Sequence, residues 1–331
     1  MLPKLIEQAR RPLTNSTFKQ GNTPCDIIGD IHGHAGELIA LLKKMDYTEE
    51  NGFWSHPKRK AIFVGDFTCR GPETRNTINI VRNMTENDAA YAILGNHELN
   101  VIGHFTKNKE KEPFKTATGS NKKIMDYIRA EYAWDKKALK DDLKWMRRLP
   151  FSLDMGSFRV VHAYWSDENL KLIRSQLTKE KLTKKILDQI FSADSSLGLA
   201  VRQTTRGIEI NLPHDLIIKD NNNIRRTVFR IKWWETPKGK TFKELSYGNK
   251  FLLPEYTIPP EIVFPFIVYP DRAPLVFVGH YCIRRDQMAA SHNVCCLDTC
   301  LANDGSLTAY RWDGEKTIKE GNFVFQEKLR S

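Results

Sequence analysis

No run of about 18 apolar residues occurs anywhere in the 331-residue sequence, so no membrane-spanning helix is expected. Its first 24 residues lack the apolar core of a secretory signal, and with no spanning segment either, a cytoplasmic protein with no membrane partner is expected. The six cysteines, two of them adjacent at Cys295 and Cys296, form no repeated CxxC pair and no regular disulfide spacing. That pattern excludes a zinc-finger frame and predicts reduced thiols. Charge is not gathered into a stripe, although 51 Lys and Arg outnumber 40 Asp and Glu to leave a formal balance of +11. A dispersed positive surface suits an anionic partner, a phosphate ester, nucleotide or acidic protein, more than a nucleic-acid groove.

What is present is a globular composition, 40% hydrophobic, with one arrangement that recurs. A short apolar or β-branched run ends on a residue able to bind metal or phosphate, and this happens in five places. Cys25 to Gly29 leads to Asp30 and His32, Ala61 to Gly65 to Asp66, and Tyr91 to Gly95 to Asn96 and His97. Phe158 to Val161 leads to His162, and Leu275 to Gly279 to His280. Each run has strand length and composition. Leu38, Leu41, Leu42 and Met45 then repeat at helical spacing, as do Ile78, Val81 and Met84 less regularly after Pro72. Alternating strand, loop and helix predicts an α/β fold that gathers successive loops at the carboxyl edge of a sheet, where ligands bind.

A lone His or Asp after a strand is usually a capping or hydrogen-bonding residue. Five such loops converging are another matter. Imidazoles, carboxylates and one amide oxygen make an N/O donor set suited to Mn, Fe or Zn, with no thiolate required.

The segments "GDIHGH" (29–34), "GDFTCRGP" (65–72), "GNHE" (95–98), "VVHA" (160–163) and "VGHY" (278–281) resemble, in order and spacing, the phosphoprotein-phosphatase type of the calcineurin-like metallophosphoesterases. The resemblance implies a β-sandwich flanked by helices, with a dinuclear metal centre at one edge. It implies Asp30 and His32 as ligands of the first ion, Asp66 as the bridging carboxylate, and Asn96, His162 and His280 as ligands of the second. Two divalent ions, manganese or else iron or zinc, would then generate a bridging hydroxide that attacks phosphorus. Arg70 would clamp the phosphate bidentately and His97 would protonate the leaving oxygen.

Cys69 departs from the pattern. Protein Ser/Thr phosphatases usually carry Asp there, which orients the catalytic His, whereas a neutral thiol is a poor acceptor. Symmetrical diadenosine tetraphosphate hydrolases also lack the Asp and read "RGP", while "GNHE" resembles the phosphoprotein branch. The first expectation is therefore a protein serine/threonine phosphatase-like enzyme, the second a nucleotide hydrolase, and the third a non-catalytic phosphate or RNA binder. An intact ligand set disfavours the third. For Cys69 itself, redox control stands against a tolerated replacement.

The expected organisation is an N-terminal extension (1–24), one metallophosphoesterase domain (25–312) with an insert at about 166–272, and a C-terminal tail (313–331). Within the insert, 168–191 reads as basic helix, 230–242 as strand and turn, and 254–266 as a proline-rich loop. Trp233 and Trp234 suit a core or a base-stacking platform. Arg272, Arg284 and Arg285 are candidates for a second phosphate contact. "VCCLDTC" and "SLTAYRW" read as a closing pair of strands.

Overall fold

The computed structural model describes residues 23–177, 181–212, 218–219, 225–247, 253, 255–259, 264 and 266–329. Residues 1–22 of the expected N-terminal extension, and residues 254, 260–263 and 265 of the proline-rich loop, lie outside these residues. Before the insert, the strands are β1 (Cys25–Ile28), β2 (Thr48–Glu50), β3 (Phe53–Ser55), β4 (Lys60–Phe63), β5 (Ala90–Ala92), β6 (Ser152–Asp154) and β7 (Phe158–Val161). The insert carries β8 (Glu209–Asn211), β9 (Ile218–Lys219), β10 (Arg225–Arg226) and β11 (Val228–Arg230). Four strands close the chain: β12 (Leu275–Val278), β13 (Val294–Cys296), β14 (Ser306–Trp312) and β15 (Phe323–Glu327). The helices are α1 (Ala35–Lys44), α2 (Thr74–Glu86), α3 (Asn96–Phe105), α4 (Gly119–Glu131), α5 (Lys136–Met146), α6 (Asp167–Gln176), α7 (Lys184–Phe191), α8 (Ser196–Arg206) and α9 (Phe242–Leu245).

Two sheets dominate, one in the order β15-β14-β1-β4-β5 and one in the order β13-β12-β7-β6. Their packing follows from strand alternation. Cys25 and Ile27 of β1, Ile62 of β4, Phe158 and Val160 of β7, and Leu275 and Phe277 of β12 fill the space between the sheets. The alternate residues Ile28, Ala61 and Phe63 turn to a helical layer built on α1 and α2. Val161, Val276 and Val278 turn instead to the insert. The spacing of Leu38, Leu41 and Leu42 does form α1 and buries them, and Ile78, Val81 and Met84 are buried on α2.

Parallel pairing fixes where the chemistry sits. β1 pairs with β4 and β4 with β5 in parallel, as β12 does with β7 in the second sheet. All five of these strands are followed by one of the five loops, so the loops meet at one end of the sandwich.

Three expectations need correction. The segments "VCCLDTC" and "SLTAYRW" contribute β13 and β14, which belong to different sheets and do not pair with each other. Both are apolar runs, which mark burial without naming a neighbour. The C-terminal segment is not a tail outside the domain, since β15 pairs antiparallel with β14 and Phe323 packs on Tyr310. Its lone alternation of Phe323 and Phe325 is too short to read as an edge strand. Cys282 and Cys300 are joined in a disulfide, although their spacing announces none. The Asp298 carboxylate accepts the N–H groups of both and draws the two loops together, a contact invisible in sequence.

Phe277 is fully buried between the sheets, its ring against Phe158 and Tyr310. Phe277→Ala should cost about 3–5 kcal/mol through lost burial and the cavity left behind. Urea unfolding checks this; a cost below about 1 kcal/mol would show that the two sheets close over the gap.

Candidate metal centre

The loops that follow the five strands are held in unusual backbone conformations. His32, Asp66 and His280 have φ of 50°, 48° and 70°, the left-handed region that costs a non-glycine residue about 1–3 kcal/mol and recurs at functional sites. Backbone bonds hold two of them in place: His32 N–H donates to the Asp66 carbonyl at 2.8 Å, and Gly71 N–H to the His32 carbonyl at 2.7 Å. The glycines of the motifs provide room. A Cβ on Gly95 would overlap Asp66 Oδ1, and one on Gly279 would overlap Asp30 Oδ1.

Asp30, His32, Asp66, Asn96, His97 and His162 are all buried, and His280 nearly so. The ligand atoms of His32, Asp66 and His97 lie within 4.8 Å of one another, and so do those of Asp66, His162 and His280. Asp66 is thus shared between two clusters. His162 Nε2 is 3.3 Å from Asp66 Oδ1, and its Nδ1 meets the Val64 carbonyl at 2.8 Å, which fixes the ring. Asp30 accepts from His280 N–H at 3.1 Å and lies 3.9 Å from His32 Nε2. The first cluster also takes in His97, whose Nε2 is 3.9 Å from Asp66 Oδ2, so the imidazole expected as the acid stands beside the expected ligands.

The buried polar atoms with no hydrogen-bond partner test whether these residues fit metal ions. They include Asp30 Oδ1, Asn96 Oδ1, His162 Nε2 and His280 Nε2. Leaving one such group unpaired costs about 1–3 kcal/mol, so several converging at one strand edge are explained by a ligand. Carboxylate, amide and imidazole donors without a thiolate suit divalent cations of the Mn, Fe or Zn type.

The electrostatics agree. Burial alone would raise the Asp66 pKa, but the His162 and His97 imidazoles outweigh it and hold this carboxylate well below its usual range. Burial, and then the Asp298 charge, push Asp30 up, so its ionised form wants cationic neighbours. Burial keeps His32 and His280 neutral and free to donate lone pairs. Against burial, Asp66 and Asp30 raise His162 to about 10; a metal ligand must shed that proton, which makes metal binding pH-dependent.

The calcineurin-like phosphoesterase family model matches residues 23–284. The chain belongs to this family. The family is one of phosphoesterases, and it uses divalent metals. A symmetrical bis(5'-nucleosyl)-tetraphosphatase of Vibrio parahaemolyticus is 25% identical over 300 residues, 89% of this chain and 97% of the relative. An asymmetrical bis(5'-nucleosyl)-tetraphosphatase of Oceanobacillus iheyensis is 39% identical over 147 residues, 42% of this chain and 54% of the relative. The chain spans between 30% and 54% of the length of two asymmetrical relatives it matches. A solved putative diadenosine tetraphosphatase superposes with a TM-score of 0.45 at 14% identity, covering 94% of this chain and 96% of that one.

Several calcineurin-like site features escaped the sequence. Glu98 is fully buried and accepts from Asp66 N–H at 2.7 Å, Gly95 N–H at 2.9 Å, Thr68 N–H at 3.0 Å and the Thr68 hydroxyl at 2.8 Å. Its signal was available, since an acid three residues into a helix is a capping-box position. Arg206, at the end of α8, carries a charge that acts on His97 and His280 and is itself acted on by Asp66. It lies in the insert, where no motif marks it.

Other candidates fall elsewhere. Arg284 is paired with Asp286, and Arg285 with Glu327 and the Phe325 ring, so both are engaged away from the centre. Arg272 precedes β12 and so sits at the end of that strand opposite His280. Trp233 and Trp234 are core residues, and Trp233 Nε1 donates to the Tyr281 hydroxyl, which in turn donates to the Ala163 carbonyl. Arg70, by contrast, stays beside the centre: it is exposed with φ 70°, and its charge acts on His32 and His97. Cys69 is buried, donates to the Thr68 hydroxyl at 3.6 Å, and is pushed up in pKa by burial, so nothing activates it as a redox thiol.

Glu98→Gln places an NH2 group against donors and should lower divalent-metal affinity and turnover about 10- to 100-fold, as loss of ligand-supporting groups does elsewhere. Metal titration of the stripped protein checks it; wild-type affinity would show that Asp66 needs no anchor.

Proposed function

We propose that the chain hydrolyses a nucleoside oligophosphate of the bis-nucleosyl tetraphosphate kind, releasing a nucleotide phosphate. The observation that carries this is His97. Its Nδ1 is buried without a partner, and the motif position at which the phosphoprotein phosphatases it resembles carry an orienting Asp is held by Cys69, whose thiol serves Thr68. Burial, offset only in part by Asp66, also pulls His97 down to about 4, so near neutral pH its imidazole is uncharged and a weak proton donor. Phosphoserine leaves as an alkoxide and needs that proton. A nucleotide phosphate leaves as a stable anion and does not. Two symmetrical tetraphosphatases that align over 89% of the chain support the same choice over the phosphoprotein alternative.

Asp30, His32, Asp66, Asn96, His162 and His280 would hold two divalent ions, manganese in the first instance. When bound, the ions supply a Lewis-acid pair that polarises the phosphoryl group and lowers the pKa of water. Arg70, exposed at the mouth, grips equatorial phosphoryl oxygens in the bidentate way that Lys cannot reproduce. Arg206 adds a second positive charge from the insert side. His97 remains a hydrogen-bond donor to the departing oxygen.

The direct test is Mn²⁺-dependent turnover of diadenosine tetraphosphate beside a phosphoserine peptide, with products identified. Preference for the dinucleotide is expected, and preference for the peptide overturns the proposal. Asp66→Asn should lower metal content and activity together; full activity with one ion bound would rule out a shared carboxylate. Cys69→Asp should raise turnover of the peptide more than that of p-nitrophenyl phosphate, since only the poorer leaving group gains from an oriented His97. Equal effects on both would mean that His97 is not limited by its orientation.

A further inference from the structure

Between α3 and the insert helices α7 and α8 lies a cavity of about 360 Å³ whose lining includes Asn96 and Arg206, so it opens directly beside the metal-ligating cluster. One wall is cationic. Lys115 donates to Asn100 Oδ1 at 2.6 Å, and the Arg206 guanidinium reaches the same oxygen at 3.4 Å. Arg202, exposed on α8, adds a third positive group at the rim. One amide oxygen shared by two cations that line the cavity satisfies only part of their hydrogen-bonding capacity. Part of the lining is apolar, with the Phe114 and Phe191 rings stacked at 6.5 Å between centroids.

We infer that this cavity is a second anion subsite, in which Lys115, with Arg206 and Arg202, binds a phosphate of the oligophosphate chain beyond the one being attacked. The inference rests on the oligophosphate proposal above and names where that substrate's selectivity would reside. A single phosphate ester has no group for this site. A chain of phosphates does, and the apolar part of the lining offers a face to the attached nucleoside. Lys115 behaves as a cation lacking its counter-ion: burial, then the Arg206 charge, pull its amine down to about 8. A bound phosphate would reverse that by supplying the missing negative charge.

Two measurements test the cavity. Binding of inorganic tripolyphosphate to the metal-free protein is followed by calorimetry, and KM is compared for diadenosine tetraphosphate and p-nitrophenyl phosphate with Mn²⁺ present. A charge-assisted hydrogen bond is worth about 1.5–3 kcal/mol, so Lys115→Met should weaken tripolyphosphate at least ~10-fold. The ratio of the two KM values should move by a similar factor against the dinucleotide. Arg202→Ala, on the exposed rim, should shift both in the same direction by less, and it decides the matter if Lys115→Met does not fold. Unchanged tripolyphosphate affinity, or an unchanged KM ratio, overturns the inference. The titration needs no turnover, so a wild-type protein that prefers the phosphopeptide would defeat the dinucleotide proposal while the calorimetry still judged the cavity by itself.

Discussion

The arrangement depends on a buried carboxylate that is expected to touch neither metal nor substrate. Glu98 accepts four hydrogen bonds from the loops after β4 and β5, and so fixes Asp66, Thr68 and Gly95 against one another. Two acids buried this close would repel, and burial and Asp66 do raise Glu98 to about 7. The N–H donors and the surrounding imidazoles offset that repulsion, and divalent cations bound by the cluster would add to this. Asp66 can therefore stay ionised in the one place where it reaches both clusters.

Much of this was legible in the sequence because chemistry restricts the residue types. An Asp, Asn or His at the end of a β-branched run has few interchangeable substitutes, and glycines that would otherwise overlap Asp30 and Asp66 mark the close approaches. What could not be read is what depends on tertiary placement alone. Arg206 sits on an ordinary amphipathic helix, and only folding brings its charge to His97. The Cys282–Cys300 bridge requires Asp298 to draw two loops together, and nothing in the spacing of the cysteines records that. β15 is a single alternation whose partner is chosen by β14.

Cys69 shows how one scaffold serves two kinds of leaving group. An acid at this position would have to be buried, and it would be tolerable only with His97 charged or donating beside it. A thiol carries no such requirement. It packs in the helical core, bonds to Thr68, and leaves the metal-ligating residues where they are. In the proposed reading, acid assistance is what a thiol here gives up, while the residues proposed to hold the anion are untouched.

The insert then supplies what the core motifs do not. Its aromatic cluster holds the His280 loop through Trp233, Tyr281 and Ala163, so the same segment that builds a wall also positions an expected metal ligand. α8 packs on α6 and α7 and presents Arg206 and Arg202 along one side of the cleft. In the proposed site, catalytic geometry would come from the strand ends, and selection for substrate length from the insert together with the Phe114–Lys115 segment that follows α3. In this division of labour, a change in the insert can alter which phosphate ester is accepted without disturbing Asp66, provided that the Trp233 to Ala163 connection survives it.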